Sequence, residues 1–79
     1  MNASQLRTLR ALRTLTEREQ YLPSIADLAV EAGVSKTRVH QNITALRSAG
    51  LVTWEPRKVR TLRLTHAGTD AVLASKEAS

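Results

Sequence analysis

Apolar residues recur at helical spacing through most of the 79 positions and alternate only in one short stretch near residue 60. Leu6, Leu9, Leu12 and Leu15 return every third residue, and the segment from Ser4 to about Arg18 predicts a first helix capped by Ser4. At about 100° per residue such a row drifts by about 60° per step. It cannot occupy one narrow stripe, so Leu6 or Leu15 is expected to point elsewhere. Two accounts fit it: a wide buried face on a central helix, or a subunit contact. Glu17 to Pro23 reads as a connection, because a proline disfavours helix in the residue before it. Ser24 with Asp27 three residues on is a capping pair for a second helix whose buried stripe is Ile25, Leu28 and Ala29. Ala29 is small enough for two helices to cross closely, and Gly33 stands where a left-handed residue ends the helix. Val34 fills the turn. Ser35 caps a third helix from about Lys36 to Ala49 that stops at Gly50, with Val39, Ile43 and Leu46 on one face.

Beyond Gly50 the spacing changes. Leu51 to Glu55 reads as a strand, Pro56-Arg57-Lys58 as a turn, and Val59 to Leu64 as the return strand, with Leu62 and Leu64 on one face and Arg63 on the other. Thr65 can cap a last helix running to about Lys76, interrupted early by Gly68; its Ala71, Val72 and Ala74 are weakly patterned, and Glu77 to Ser79 should fray. The expected fold is mainly α with a small β-hairpin: a three-helix core, a hairpin wing and a C-terminal helix, as one domain over residues 1–79. A helix, a glycine turn, a second helix and an exit into a hairpin is the layout of a winged helix-turn-helix.

Charge sharpens this picture. The formal net charge is +5, but residues 33 to 66 carry seven basic residues (Lys36, Arg38, Arg47, Arg57, Lys58, Arg60, Arg63) against Glu55 alone, a local balance of +6. The remaining five basic and six acidic residues give −1. Positive charge gathered on one helix and its hairpin is the footprint of a polyanion binder. Arg7, Arg10 and Arg13 form a second row that reads as a solvated face.

With Val39 facing the core, Thr37, Gln41, Thr44 and Ser48 fall on the opposite side of the third helix, flanked by Arg38 and His40. An α-helix fits the major groove and its N-terminal residues come closest to base edges. Thr37, Arg38 and Gln41 are therefore the candidate base contacts, with Thr44 further along: glutamine pairs with adenine, arginine with guanine, and a threonine methyl meets a thymine methyl. Ser35 and Lys36 open the helix, where backbone N–H groups suit a phosphate. Arg57 and Lys58 at the hairpin tip are placed for the adjacent minor groove or its phosphates, and Arg60 and Arg47 for the backbone. His40 lies beside this arc. Trp54 reads as a core or hairpin plug before a stacking platform or a subunit contact. His66 has no evident partner.

The same residues exclude other classes. There is no cysteine, and two histidines do not make a metal constellation, so no metal and no cofactor is expected. No nucleophile–base pair or phosphate-cradling loop is visible, so the chain does not read as an enzyme. No apolar run suits a membrane span and the N-terminus has no signal-peptide core, so a cytoplasmic location is the expectation.

The run LPSIADLAVEAGVSKTRVHQNITALRSAGLV, Leu22 to Val52, resembles the DNA-binding module of GntR-type bacterial transcription regulators, and RLTHAG, Arg63 to Gly68, resembles the wing-closing segment of the MarR and ArsR types. It departs from the GntR pattern in having Ile25-Ala26 where Glu-Arg is usual, and in lacking a glycine-rich wing. The resemblance implies a winged helix of three helices and a two- or three-stranded wing, with Ser35, Lys36, Thr37, Arg38 and Gln41 reading DNA and Arg57 and Lys58 in the wing. It also implies a homodimer on a pseudo-palindrome, for which the first helix and the C-terminal helix are the expected surface. The expected partner is double-stranded DNA and the expected function that of a small transcriptional regulator acting as a repressor. A winged helix used as a protein-interaction or assembly module is the alternative.

Overall fold

The computed structural model describes residues 1–19, 21–58 and 60–75. Four helices and one hairpin follow in the order α1 (Ala3–Arg18), α2 (Ile25–Ala32), α3 (Lys36–Ser48), β1 (Val52–Thr53), β2 (Arg63–Leu64) and α4 (His66–Ser75). This is the expected winged helix-turn-helix plan.

The cap of α1 is Asn2, not Ser4. Its side chain accepts the Gln5 N–H at 2.8 Å while Gln5 Oε1 accepts the Asn2 N–H at 3.2 Å, a reciprocal capping box two residues earlier than expected. Ser4 is thereby released for a long-range role. Asn42 of α3, only 2 % exposed, donates from Nδ2 to Ser4 Oγ (2.9 Å), Ser4 O (3.2 Å) and Thr8 Oγ1 (2.9 Å). Thr8 is itself fully buried and donates to the Ser4 carbonyl at 3.1 Å. A buried amide is tolerated because its donors are matched.

Leu9, Leu12 and Leu15 are all buried and Leu6 is half-buried. Of the two leucines expected to turn away, Leu6 is the one less buried, while Leu15 stays in the core because α1 is central: α2, α3, α4 and β2 all pack against it, so its buried face is wide. Each such leucine taken from water contributes about 2 kcal/mol. Leu28, Val39, Ile43, Leu46, Val52, Leu62 and Val72 complete the core. Arg10 does not belong to a solvated row, since its guanidinium donates to the Ser75 carbonyl at 2.6 Å and closes the C-terminal end of α4. Arg13 pairs with Glu17 at 3.1 Å on the exposed side.

The helix boundaries follow their local chemistry. Ser24 accepts the Asp27 N–H and Asp27 Oδ2 accepts the Ser24 N–H, both at 3.1 Å. Gly33, at φ 71°, ends α2 in the left-handed region. Ser35 accepts the Arg38 N–H at 3.1 Å. Gly50, at φ 76°, turns the chain out of α3, and the Leu51 N–H returns to the Leu46 carbonyl at 2.9 Å.

The hairpin ladder is antiparallel with Val52 opposite Leu64 and Thr53 opposite Arg63. It is shorter than Leu51–Glu55 and Val59–Leu64 predict; Val59 itself lies outside the described residues. The reason is a side chain that replaces the ladder. Thr61 Oγ1 accepts the Glu55 N–H at 2.9 Å and donates to the Glu55 carbonyl at 3.1 Å. Gly68 does not interrupt α4. It is buried inside the helix, where a Cβ would overlap the Leu51 carbonyl oxygen. Thr65 ties the same corner: its hydroxyl donates to the Gly50 carbonyl at 2.6 Å and accepts the Gly68 N–H at 3.0 Å, the expected cap. His66 meets Asp70 one turn on, at 3.5 Å. The predicted end of α4 at Lys76 and the tail from Glu77 lie outside the described residues.

The carboxylate of Asp27 carries one pH prediction. The Ser24 backbone N–H, and after it the Ser24 hydroxyl and Arg60, hold its pKa below the ordinary aspartate value against a partial opposing effect of burial. A depressed folded pKa means the unfolded chain binds the proton more readily. The stabilisation is then complete above about pH 4 and is lost as pH falls through the folded value. The wild type should exceed Asp27→Asn in urea midpoint at pH 7, and the gap should narrow as pH falls below about 4. A gap that stays constant with pH would contradict this assignment.

Candidate nucleic-acid interface

The side chains opposite the buried Val39–Ile43–Leu46 face of α3 are in solvent. Ser35, Lys36, Thr37, Arg38, His40, Gln41, Thr44 and Arg47 are all exposed, and the helix contains no aspartate or glutamate. Ser35 uses one oxygen lone pair in its cap. Thr44 turns its hydroxyl back to the His40 carbonyl at 2.9 Å, which leaves its methyl as the outward group. Thr37, Arg38 and Gln41 on the outer arc have unrestricted ends, the condition for reaching a base edge.

The wing stands beside this helix. Lys36 and His40 from α3, Arg57, Lys58 and Arg60 from the wing and the first turn of α2 line one groove of about 440 Å³, with Trp54 in its wall. The half-buried Trp54 ring lies 5.5 Å from His40, centroid to centroid. Trp54 is thus the packing plug expected from sequence, and it holds the hairpin against α3. Arg57 and Lys58 are exposed at the turn; Lys58 Nζ is 3.8 Å from Glu55 Oε1, a loose pair in water.

Two of the expected backbone contacts are used by the protein itself. Arg47 donates to the Trp54 carbonyl at 3.1 Å and its guanidinium sits 6.0 Å from the indole centroid, so it braces the exit of β1. Arg60 turns toward α2. Its Nη1 donates to the Leu22 carbonyl at 3.1 Å and to Asp27 Oδ2 at 3.2 Å, and its guanidinium lies 4.5 Å from the Tyr21 ring centroid. These bonds span 38 and 33 residues, which no local spacing signals. Asn42 was also missed, although it stands two residues from His40 on the flank of the Val39–Ile43 face.

Among the described residues, no helix is long and apolar enough to cross a membrane and no cluster of three or more His, Asp or Glu is placed to hold a metal ion.

A three-helix core with a protruding acid-free helix, an adjoining hairpin, and cations from both around one groove defines a winged helix-turn-helix DNA-binding domain. The comparisons agree. The model of the LexA DNA binding domain matches residues 1–61, and the chain belongs to that family. It is 31 % identical over 72 residues to the LexA repressors of two strains of Lactobacillus delbrueckii subsp. bulgaricus, a match that takes in 90 % of this chain and 35 % of theirs. The chain thus spans about a third of the length of those relatives. Among solved structures it is similar to Bordetella bronchiseptica BpsR, whose DNA binding is regulated by 6-hydroxynicotinic acid, with a TM-score of 0.80 and 26 % identity over 98 % of this chain and 53 % of BpsR. A candidate DNA-binding protein of Ralstonia eutropha JMP134 shares the fold, with a TM-score of 0.73 and 22 % identity over 94 % of this chain and 95 % of that one. The winged-helix resemblance read from the sequence is thus shown at the level of the fold, and the family found is the LexA type.

Proposed function

We propose that this domain reads an operator for a cytoplasmic transcriptional repressor, without catalysing a reaction. In this reading α3 enters the major groove. Thr37, Arg38 and Gln41 face base edges, Ser35 and Lys36 hold a phosphate at the helix start, and His40, Thr44 and Arg47 border the contact. Arg57 and Lys58 reach the neighbouring minor groove or backbone. The observation that carries it is the union of an exposed α3 face without acids and a basic wing lining the same groove as Lys36 and His40. The protein acts as a homodimer on an inverted repeat whose half-sites lie about 34–36 Å apart. Leu73, 43 % exposed on α4, is the apolar side chain that favours pairing on the α1–α4 side, since the leucines of α1 are largely taken up in the core. The GntR-like and MarR/ArsR-like runs then reflect the spacings that a helix-turn-helix and a wing closure require.

Selection from a random duplex pool should enrich one inverted repeat. On that site Gln41→Ala should cost about 1–3 kcal/mol and relax a single base position. Equal weakening on every sequence would make Gln41 a positioning contact, and an unenriched pool would remove the operator reading.

A further inference from the structure

Arg60 is the only described residue other than glycine with a positive φ, 58°. An arginine held in the left-handed region is conformationally costly and persists where the surroundings over-determine it. Here they do. The Leu22 carbonyl, Asp27 Oδ2 and the Tyr21 ring together receive one guanidinium, from the loop that enters α2 and from its first turn. Asp27 is the same carboxylate that closes the α2 capping box with Ser24.

We infer that Arg60 is a positioning residue, a latch that fixes the wing relative to the helix-turn-helix through Asp27 and Tyr21, and not a phosphate contact. This rests on the DNA-reading function proposed above. The wing ladder has only two paired positions, and its tip is joined by the Thr61 and Glu55 bonds. Leu62 roots the returning limb in the core, and Arg60, nearer the tip, is the described wing side chain that reaches across to α2. Trp54 secures the outgoing limb on α3, whereas Arg60 secures the returning limb on α2. Between them the two limbs hold the tip cations beside Lys36 and His40.

The test uses Arg60→Asn, since asparagine tolerates a positive φ, together with Asp27→Ala and the double variant. Ser24→Ala is the control that removes the side-chain half of the capping box but leaves the partners of Arg60 in place. In the free protein, the Lys58 amide, which donates to the Glu55 carbonyl at 3.0 Å, should exchange with solvent faster in Arg60→Asn and Asp27→Ala than in wild type or Ser24→Ala. On the selected duplex both single variants should bind about fivefold more weakly, as for an exposed but networked pair, and the double variant no more weakly than either. Simple electrostatics gives the opposite sign for Asp27→Ala, because removing an acid beside a polyanion strengthens binding. Tighter binding by Asp27→Ala, multiplied losses in the double variant, or unchanged Lys58 exchange would each overturn the latch. The exchange measurement needs no DNA, so it decides the latch even if no operator is found.

Discussion

Gly68→Ala should be among the most damaging single methyl additions in this chain, lowering stability by about 3 kcal/mol or more. The added carbon overlaps the Leu51 carbonyl oxygen on one side and comes within 3.1 Å of Leu64 Cδ2 on the other. The leucine end could rotate, but the carbonyl cannot yield cheaply. It already accepts the Thr65 N–H at 3.0 Å, and the Leu51 N–H is committed to Leu46. Gly33 and Gly50 make an informative contrast. A methyl on either meets nothing within 4 Å, so Gly33→Ala and Gly50→Ala carry only the left-handed backbone penalty, about 1–2 kcal/mol. Urea unfolding of the three variants should place Gly68→Ala well below the other two. An equal ranking would show that α4 does not seat on the base of the wing as described.

Removing both tip cations, Arg57→Ala with Lys58→Ala, should flatten the logarithmic salt dependence of DNA binding by roughly two units and weaken binding at ~0.1 M salt on the order of 50-fold. Both side chains are exposed, so folding should be untouched. Glu55 sets the sign of a companion variant. It is the only acid between residues 33 and 66 and lies 3.8 Å from Lys58 Nζ, so Glu55→Gln should strengthen binding modestly. Arg47→Ala should change the salt slope less than either tip residue, because its guanidinium is already used on the Trp54 carbonyl. An unaltered slope in the double variant would take the wing out of the contact.

The elements legible from sequence are those whose instructions are local. Ser24 with Asp27, Gly33, Ser35 and Gly50 each act within four residues, and each ends or starts a helix as its chemistry demands. The exposed arc of α3 was legible for the same reason, since helical periodicity alone carries Thr37 and Gln41 away from Val39. What escaped was decided across the chain. Asn2 and Ser4 are equally plausible caps by residue type, and the choice falls to Asn2 because Gln5 answers it while Asn42 recruits Ser4. The leucines of α1 looked too widely spread for one core because sequence does not reveal how many elements surround a helix. Arg60 looked like one more basic wing residue because Asp27 and Tyr21 are more than thirty positions away. Gly68 looked like a helix breaker because the carbonyl it approaches belongs to Leu51.

The amide of Asn42 has a consequence for aim. Apolar faces can rotate a few degrees against one another at small cost, whereas the two Nδ2 hydrogens, shared among Ser4 O, Ser4 Oγ and Thr8 Oγ1, define a single azimuth for α3 about its own axis. Gln41 is the adjacent residue, about 100° round the same cylinder. Whatever fixes the bearing of the amide inside the protein therefore also points the glutamine outside it, so the interior sets the direction in which the surface looks.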